Sequence, residues 1–354
     1  MAIKRGKNYK SAHQAQFDAQ KIAFAPIMFQ AARCLVKFGI LEALNNNEDG
    51  ISCKDVAKKC NISEYAAKVL LEAGLHIEVV EEKNDLFFLT KTGWFLLTDE
   101  LTKANMNFVH DVNYNGFYYL DEALLNGKPE GLKVFGKWDT IYQALSELPE
   151  QVRKSWFEFD HYYSDTSFPV ALPIIFSDNP KKILDIGGNT GKFAIECATF
   201  NPDVKVTILD LPGQLKDAKK NIKKAGFENR IDLQAANILN FDKKYPKGYD
   251  VVWMSQFLDC FSQQEILQIL LNAKETLNPN GKIFIMETFW DNQKTVAGSY
   301  CLTATSLYFT CMANGNSQMY KFDDMAKLIE KAGLKINHIH EDIGISHTIV
   351  ECTI

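Results

Sequence analysis

The chain has no long apolar run, no paired cysteines and no surplus of basic charge, and each absence removes a class of function. No uninterrupted apolar stretch approaches the ~20 residues that span a bilayer. The basic start Met1-Ala-Ile-Lys-Arg-Gly-Lys7 is followed by no apolar segment of signal-peptide type, so a cytoplasmic protein is expected. Eight cysteines are scattered without C-x-x-C spacing, and the seven histidines form no cluster at ligand spacing. That excludes a zinc site and a disulfide framework, and no metal is expected. Cys34, Cys197, Cys301 and Cys352 sit in apolar runs and read as small buried hydrophobes. The net charge of −5 argues against a nucleic-acid partner, because phosphate binding needs a basic surface.

What the chain does have is a glycine-rich turn in the right setting. Lys182-Ile183-Leu184-Asp185-Ile186 reads as a buried strand, Gly187-Gly188-Asn189-Thr190-Gly191 as the turn, and Lys192-Phe193-Ala194 as the start of a helix. Glycines belong where a ligand approaches the backbone and where φ must be positive. A second strand, Val204–Leu209, runs into Asp210, 19 residues beyond Gly191, a spacing that suits an acid accepting the two ribose hydroxyls. Asp185 at the end of the first strand would repel a pyrophosphate but suits a positively charged ligand. The Asp-x-Gly-x-x-x-Gly pattern, with an acid closing the next strand, resembles motifs I and II of class I S-adenosylmethionine methyltransferases.

Three segments are expected along the chain. Residues 1–100 show helical periodicity over 12–45, with Ile22, Phe24, Ile27, Met28, Ala31, Leu35 and Phe38 recurring at helical spacing. A short helix follows the capping sequence Ser52–Asp55, another spans Ser63–Gly74, and strands lie near Ile77–Glu81 and Leu86–Leu89. This order predicts a winged helix. Its would-be recognition helix, Ser63–Glu72, carries two acids and one lysine and offers phosphates little. The first helix is apolar over more than one face, which predicts burial in a homodimer. Residues 101–180 are helical and rich in aromatics, among them Phe117, Trp138, Trp156, Phe157, Phe159 and Tyr163, suited both to a core and to a wall around a flat acceptor. From 181 to 354 strands at 182–186, 204–209, 231–235, 249–254 and 282–287 alternate with helical patterns, and helical patterns follow. That alternation predicts an α/β, doubly wound, Rossmann-like domain with ligands beyond the carboxyl ends of the strands.

The whole chain resembles the small-molecule O-methyltransferases of the plant caffeate/flavonoid, acetylserotonin and bacterial polyketide-tailoring type. The resemblance lies in Leu184–Gly191, Asp210-Leu-Pro-Gly213, Leu277-Asn-Pro-Asn-Gly281 and Glu330-Lys-Ala-Gly333. It implies S-adenosyl-L-methionine as cofactor, with Asp185, Gly187, Gly188 and Gly191 against its methionine part and Asp210 and Leu211 at the ribose. Asn237 and Ile238 would meet the adenine, where the family usually has an acid, and Ser255 would end the fourth strand nearby. Tyr163, Ser167, Cys260, Met312 and Met319 are the implied substrate-pocket residues. The family's catalytic His is replaced by Asp259, in a register supported by the capping sequence Ser262-x-x-Glu265. Of the two glutamates that flank that His in the family, Glu287 is kept and the other falls on Met319. Glu287, ending the fifth strand, is expected to open into the same crevice as Asp259 and to act with it in catalysis.

A carboxylate with an ordinary pKa of about 3.9 is a weak base toward a phenol of about 10. Burial, or sharing a site with Glu287, can raise it by several units. General-base help contributes roughly 10²–10⁴ in rate, whereas positioning contributes an effective molarity of roughly 10⁵–10⁸ M. Loss of the His therefore need not end catalysis. The expectation is methylation of a hydroxyl on a small aromatic molecule with Asp259 as base. The alternatives are other chemistry on the same fold, methylation of an already anionic oxygen, or a dimeric cofactor-binding scaffold.

Overall fold

The computed structural model describes residues 10–241 and 244–354, so the N-terminal stretch Met1–Lys7 lies outside the described residues. Two compact units are present, one ending at Asn107 and the other running from Phe108 to Ile354.

In the N-terminal unit a helix spans Ala12–Lys37, capped by the Ser11 hydroxyl, which accepts from Gln14 N. The predicted 12–45 helix is interrupted at Gly39, whose φ of +74° lets the chain turn before a second helix, Ile40–Asn45. Helices Cys53–Lys59 and Glu64–His76 follow, with the hydroxyls of Ser52 and Ser63 as their N-caps. Strands β1 (Val80–Lys83) and β2 (Leu86–Leu89) pair antiparallel across Asn84 and Asp85, whose φ values of +53° and +60° are those of a two-residue hairpin turn. Leu35, Ile40, Leu41, Val56 and Leu71 form the core of this unit. Phe17, Ile22, Phe24 and Ile27 on the first helix lie outside that core and are exposed, Ile22 by 77%.

The second unit is built on a seven-stranded sheet in the order β5-β4-β3-β6-β7-β9-β8. Its strands are β3 (Lys182–Ile186), β4 (Lys205–Asp210), β5 (Ile231–Ala235), β6 (Tyr249–Ser255), β7 (Leu277–Glu287), β8 (Lys335–Ile343) and β9 (His347–Thr353). The first five run parallel, while β9 pairs antiparallel with both β7 and β8. Strand order reverses between β3 and β6, the point at which α/β sheets open a crevice. Fully buried apolar runs such as Ile183-Leu184 and Val252-Trp253-Met254 mark strands covered on both faces. Trp253 stacks on Phe193 with ring centroids 4.4 Å apart, fastening the helix Lys192–Phe200 to the sheet.

Beyond β7 the expected helical patterns form the helices Val296–Tyr308 and Phe322–Lys331, and the antiparallel pair β8–β9 that closes the chain was not expected. Register shifts between Ile336 and His338 and between His340 and Ile343 break the alternation of β8, which blurs its strand pattern in the sequence.

Candidate active site

The glycine turn is set by close packing as well as by backbone freedom. Gly187 has φ of +78°, and a Cβ there would strike the Phe257 ring; one on Gly188 would meet the Asp185 carboxylate and Ile208. No other residue fits either position. Asp185, next to last in β3, has 2% of its surface exposed, and its Oδ2 has no hydrogen-bond partner. Burial, and then the charge of Asp210, push its carboxyl up to about 8. It lines a pocket of about 70 Å³ together with Ser255 and Gln256, whose Oγ and Oε1 are also buried without partners. Unmade hydrogen bonds of buried groups are costly, and three converging on one pocket mark a place for a polar ligand that donates.

On the far side of Gly187 a cavity of about 270 Å³ opens, lined by Asp210, Leu211, Asn237 and Ile238 at one end. Asp210 accepts from Asn189 N at 2.8 Å and Leu211 N at 2.6 Å. Burial raises its carboxyl to about 6 against the pull of those two N–H groups. Asn237 Oδ1 already accepts from Leu239 N at 3.1 Å, an Asx turn that leaves one lone pair and the amide nitrogen for a ligand.

At the other end of the same cavity lies Asp259, on the short turn Leu258–Cys260 beyond β6. Its carboxylate is 5% exposed and accepts from the Cys260 thiol at 3.4 Å. Burial raises its pKa, and the charge of Asp160 adds to the rise. Glu287, 1% exposed at the end of β7, behaves differently from the expectation that it opens into the crevice beside Asp259. Its Oε1 accepts from Phe257 N at 2.9 Å and Leu258 N at 2.7 Å, so it lies behind the turn and is absent from the described cavity lining. Burial first, then the charge of Asp259, drives its pKa well up. Glu287 thus anchors the turn that carries Asp259. From the opposite side Asn314 Nδ2 donates to Cys260 O, and Tyr320 Oη donates to Phe261 O at 2.6 Å.

The family model for an O-methyltransferase domain matches residues 117–335, and that for a Dimerisation2-like domain matches residues 16–87. The chain belongs to the O-methyltransferase family. It is 25% identical over 269 residues to 3-hydroxy-5-methyl-1-naphthoate 3-O-methyltransferase of Streptomyces sahachiroi, covering 75% of each chain. Its fold is that of the S-adenosylmethionine-dependent methyltransferase SibL, with a TM-score of 0.73 at 22% identity over 95% of this chain and 98% of that one. Human N-acetylserotonin methyltransferase in complex with S-adenosylmethionine shares it too, with a TM-score of 0.65 at 18% identity over 98% and 99% of the two chains.

In this O-methyltransferase the expected pocket residues separate into two sets. Cys260 and Met319 line the cavity, and Met319 Sδ accepts from Thr288 Oγ1 at 3.4 Å. Tyr163, Ser167 and Met312 do not line it. Ser167 Oγ is buried against Tyr163 O at 3.3 Å and His347 Nδ1 at 3.0 Å, while Met312 fills the space left by Gly116 and Gly131. Gly191 also stays outside the described linings; it caps the helix Lys192–Phe200 with φ of +78°.

Sequence reasoning missed Asn189, Gln256, Tyr142 and Asp160. Asn189 and Gln256 line both cavities and hold φ of +48° and +46°, strain of a kind that gathers at functional sites. An Asn inside a glycine turn is a visible signal for such a position, whereas nothing in the sequence marks Gln256. Tyr142 brings a buried hydroxyl without a partner to the cavity wall. Asp160 follows Trp156 by four residues on the helix Glu150–Ser164, which puts the carboxylate on the same face as an aromatic of the wall.

Proposed function

We infer that this O-methyltransferase moves a methyl group from S-adenosylmethionine to a hydroxyl of a small aromatic acceptor, with Asp259 taking the proton. The observation that carries this is Asp259 itself, a buried carboxylate set in an aromatic-walled cavity whose other end holds Asp210. The buried, unpartnered Oδ2 of Asp185 fits the cofactor's ammonium group, and Asp210 keeps lone pairs for the ribose hydroxyls. Ile238 and Leu211 offer apolar surface to the adenine, and Asn237 a polar edge. When bound, S-adenosylmethionine supplies an electrophilic methyl on a sulfonium centre. Asp259, held by the turn that Glu287 anchors, receives the hydroxyl proton; Glu287 positions it without touching the acceptor. The aromatic wall excludes water and presents the ring in one plane. Incubation of the protein with methyl-labelled cofactor and a panel of phenols tests this, and no transfer to any phenol, with cofactor bound, counts against it.

Asp210→Ala removes a charged acceptor from the ribose subsite. Calorimetry with S-adenosylhomocysteine is expected to show a loss on the order of 1.5–3 kcal/mol. Unchanged affinity, or tighter binding of NAD than of S-adenosylhomocysteine by the parent protein, contradicts the cofactor assignment.

The N-terminal unit we read as a winged helix used for homodimerisation and not for nucleic acid. Phe17, Ile22, Phe24 and Ile27 expose apolar surface on a helix inside the segment that matches the Dimerisation2-like domain. The expected outcome is a dimer by light scattering at micromolar concentration, with no salt-dependent affinity for DNA. We place the division of labour at residues 1–100 for dimerisation, 101–180 for the acceptor wall and 181–354 for the cofactor, in a cytoplasmic enzyme.

A further inference from the structure

The acceptor end of the cavity is acidic as well as aromatic. Trp156, Phe159 and Tyr308 stand in its wall, with the Trp156 indole N–H donating to Tyr308 Oη at 2.7 Å and Phe159 stacked on Phe108 at a centroid distance of 3.9 Å. The rings are therefore fixed by one another. Asp160 and Asp259 stand among them, whereas no Lys, Arg or His appears among the described residues of the lining. Glu265, the third acid at this end, is committed to Ser262 through its Oε2. Asp160 is different: its side chain is half-buried, and no hydrogen bond to its carboxylate is seen among the described residues. It also borders the glycine-turn pocket, where burial raises its pKa and the neighbouring His161 charge pulls it back down. Arg153 and Lys220 line a cleft that adjoins the cavity at Leu145, Asn189 and Gln214, and Lys192 pairs with Asp165 at the glycine-turn pocket.

A partly desolvated carboxylate without a hydrogen-bond donor is costly, and aromatic faces beside it favour a cation. We propose that the acceptor is an aromatic hydroxyl compound that also carries a protonated amine, bound by Asp160 and the Trp156–Phe159 wall while its hydroxyl faces Asp259. This rests on the methyl-transfer reading above and adds the acceptor's charge. An aromatic carboxylate would meet three acids and no base at this end of the described lining, so carboxylates are disfavoured by repulsion. The burial that raises Asp160 to about 6 still leaves it ionised at neutral pH, and a bound ammonium strengthens that state.

Three phenols of similar size test the charge: a hydroxyphenylethylamine, its N-acetyl derivative and a hydroxyphenylpropanoate. Their binding to the protein saturated with S-adenosylhomocysteine is read from tryptophan fluorescence, so the result stands whether or not methyl transfer follows. The amine is expected to bind at least about tenfold tighter than the neutral amide, and the carboxylate weakest. Asp160→Asn should erase the preference for amine over amide while leaving the affinity for S-adenosylhomocysteine within about twofold, and Asp160→Glu should restore part of the preference. Equal or tighter binding of the carboxylate overturns the proposal. So does an Asp160→Asn variant that loses cofactor affinity and keeps the amine preference, since Asp160 would then serve the cofactor. Amine preference without any methylation retains the proposal and removes the methyl-transfer reading.

Discussion

Asp259→Asn is expected to lower turnover by roughly 10²–10⁴ while leaving cofactor affinity nearly unchanged. The substitution keeps the shape of a side chain that is 5% exposed and removes only its basicity. The pH dependence follows from the direction of its shift. Burial and the charge of Asp160 raise the Asp259 pKa above the ordinary carboxylate range, so the basic form is scarce at low pH and accumulates as pH rises. Activity should climb with pH through that raised value and level off above it. Burial and the charge of Asp259 raise Glu287 as well, so the two carboxyls titrate as a pair. Asp259→His should keep part of the activity and move the rising limb toward the histidine range, about 6.5. A fully active Asp259→Asn enzyme on its own acceptor would show that proton removal is not its task, and would favour an acceptor that arrives ionised.

The parts of this molecule legible in the sequence are those whose signal is local. Asp185 and the glycines announce the turn because only glycine survives beside the Phe257 ring and the Asp185 carboxylate. Ser262-x-x-Glu265 forms the reciprocal capping box that fixes the register of Asp259. Long-range placement is not local. Tyr163 lies on the aromatic helix and Ser167 just beyond it, yet Ser167 is consumed by His347, 180 residues away. Glu287 ends its strand where expected, but the two backbone N–H groups of the turn at Phe257 and Leu258 are better partners than open cavity. Asp160 is a polar residue in an aromatic helix, and only the three-dimensional arrangement brings its carboxylate to the cavity wall.

Asp185→Asn should make the unliganded protein more stable at pH 8 and at the same time spoil cofactor binding. The parent carboxyl titrates at about 8 in the folded state and near the ordinary value, about 3.9, when unfolded. Between those values the folded protein holds a proton that the unfolded chain has released. Its contribution to stability is therefore complete below the unfolded pKa and lost as pH rises through the folded one. The neutral amide has no charge to desolvate, so the gain at pH 8 is expected at roughly 2–5 kcal/mol and should shrink toward pH 5. Denaturant melts of parent and variant at both pH values measure it. The same substitution removes the anion that a cationic ligand would neutralise, so affinity for S-adenosylmethionine should fall. A buried acid kept at a cost to the empty fold makes sense only if something positive is bound there. Equal stability of the two proteins at pH 8, with parallel pH slopes, would mean that Asp185 is already compensated within the chain, and the argument for a cation at the glycine turn would lose its footing.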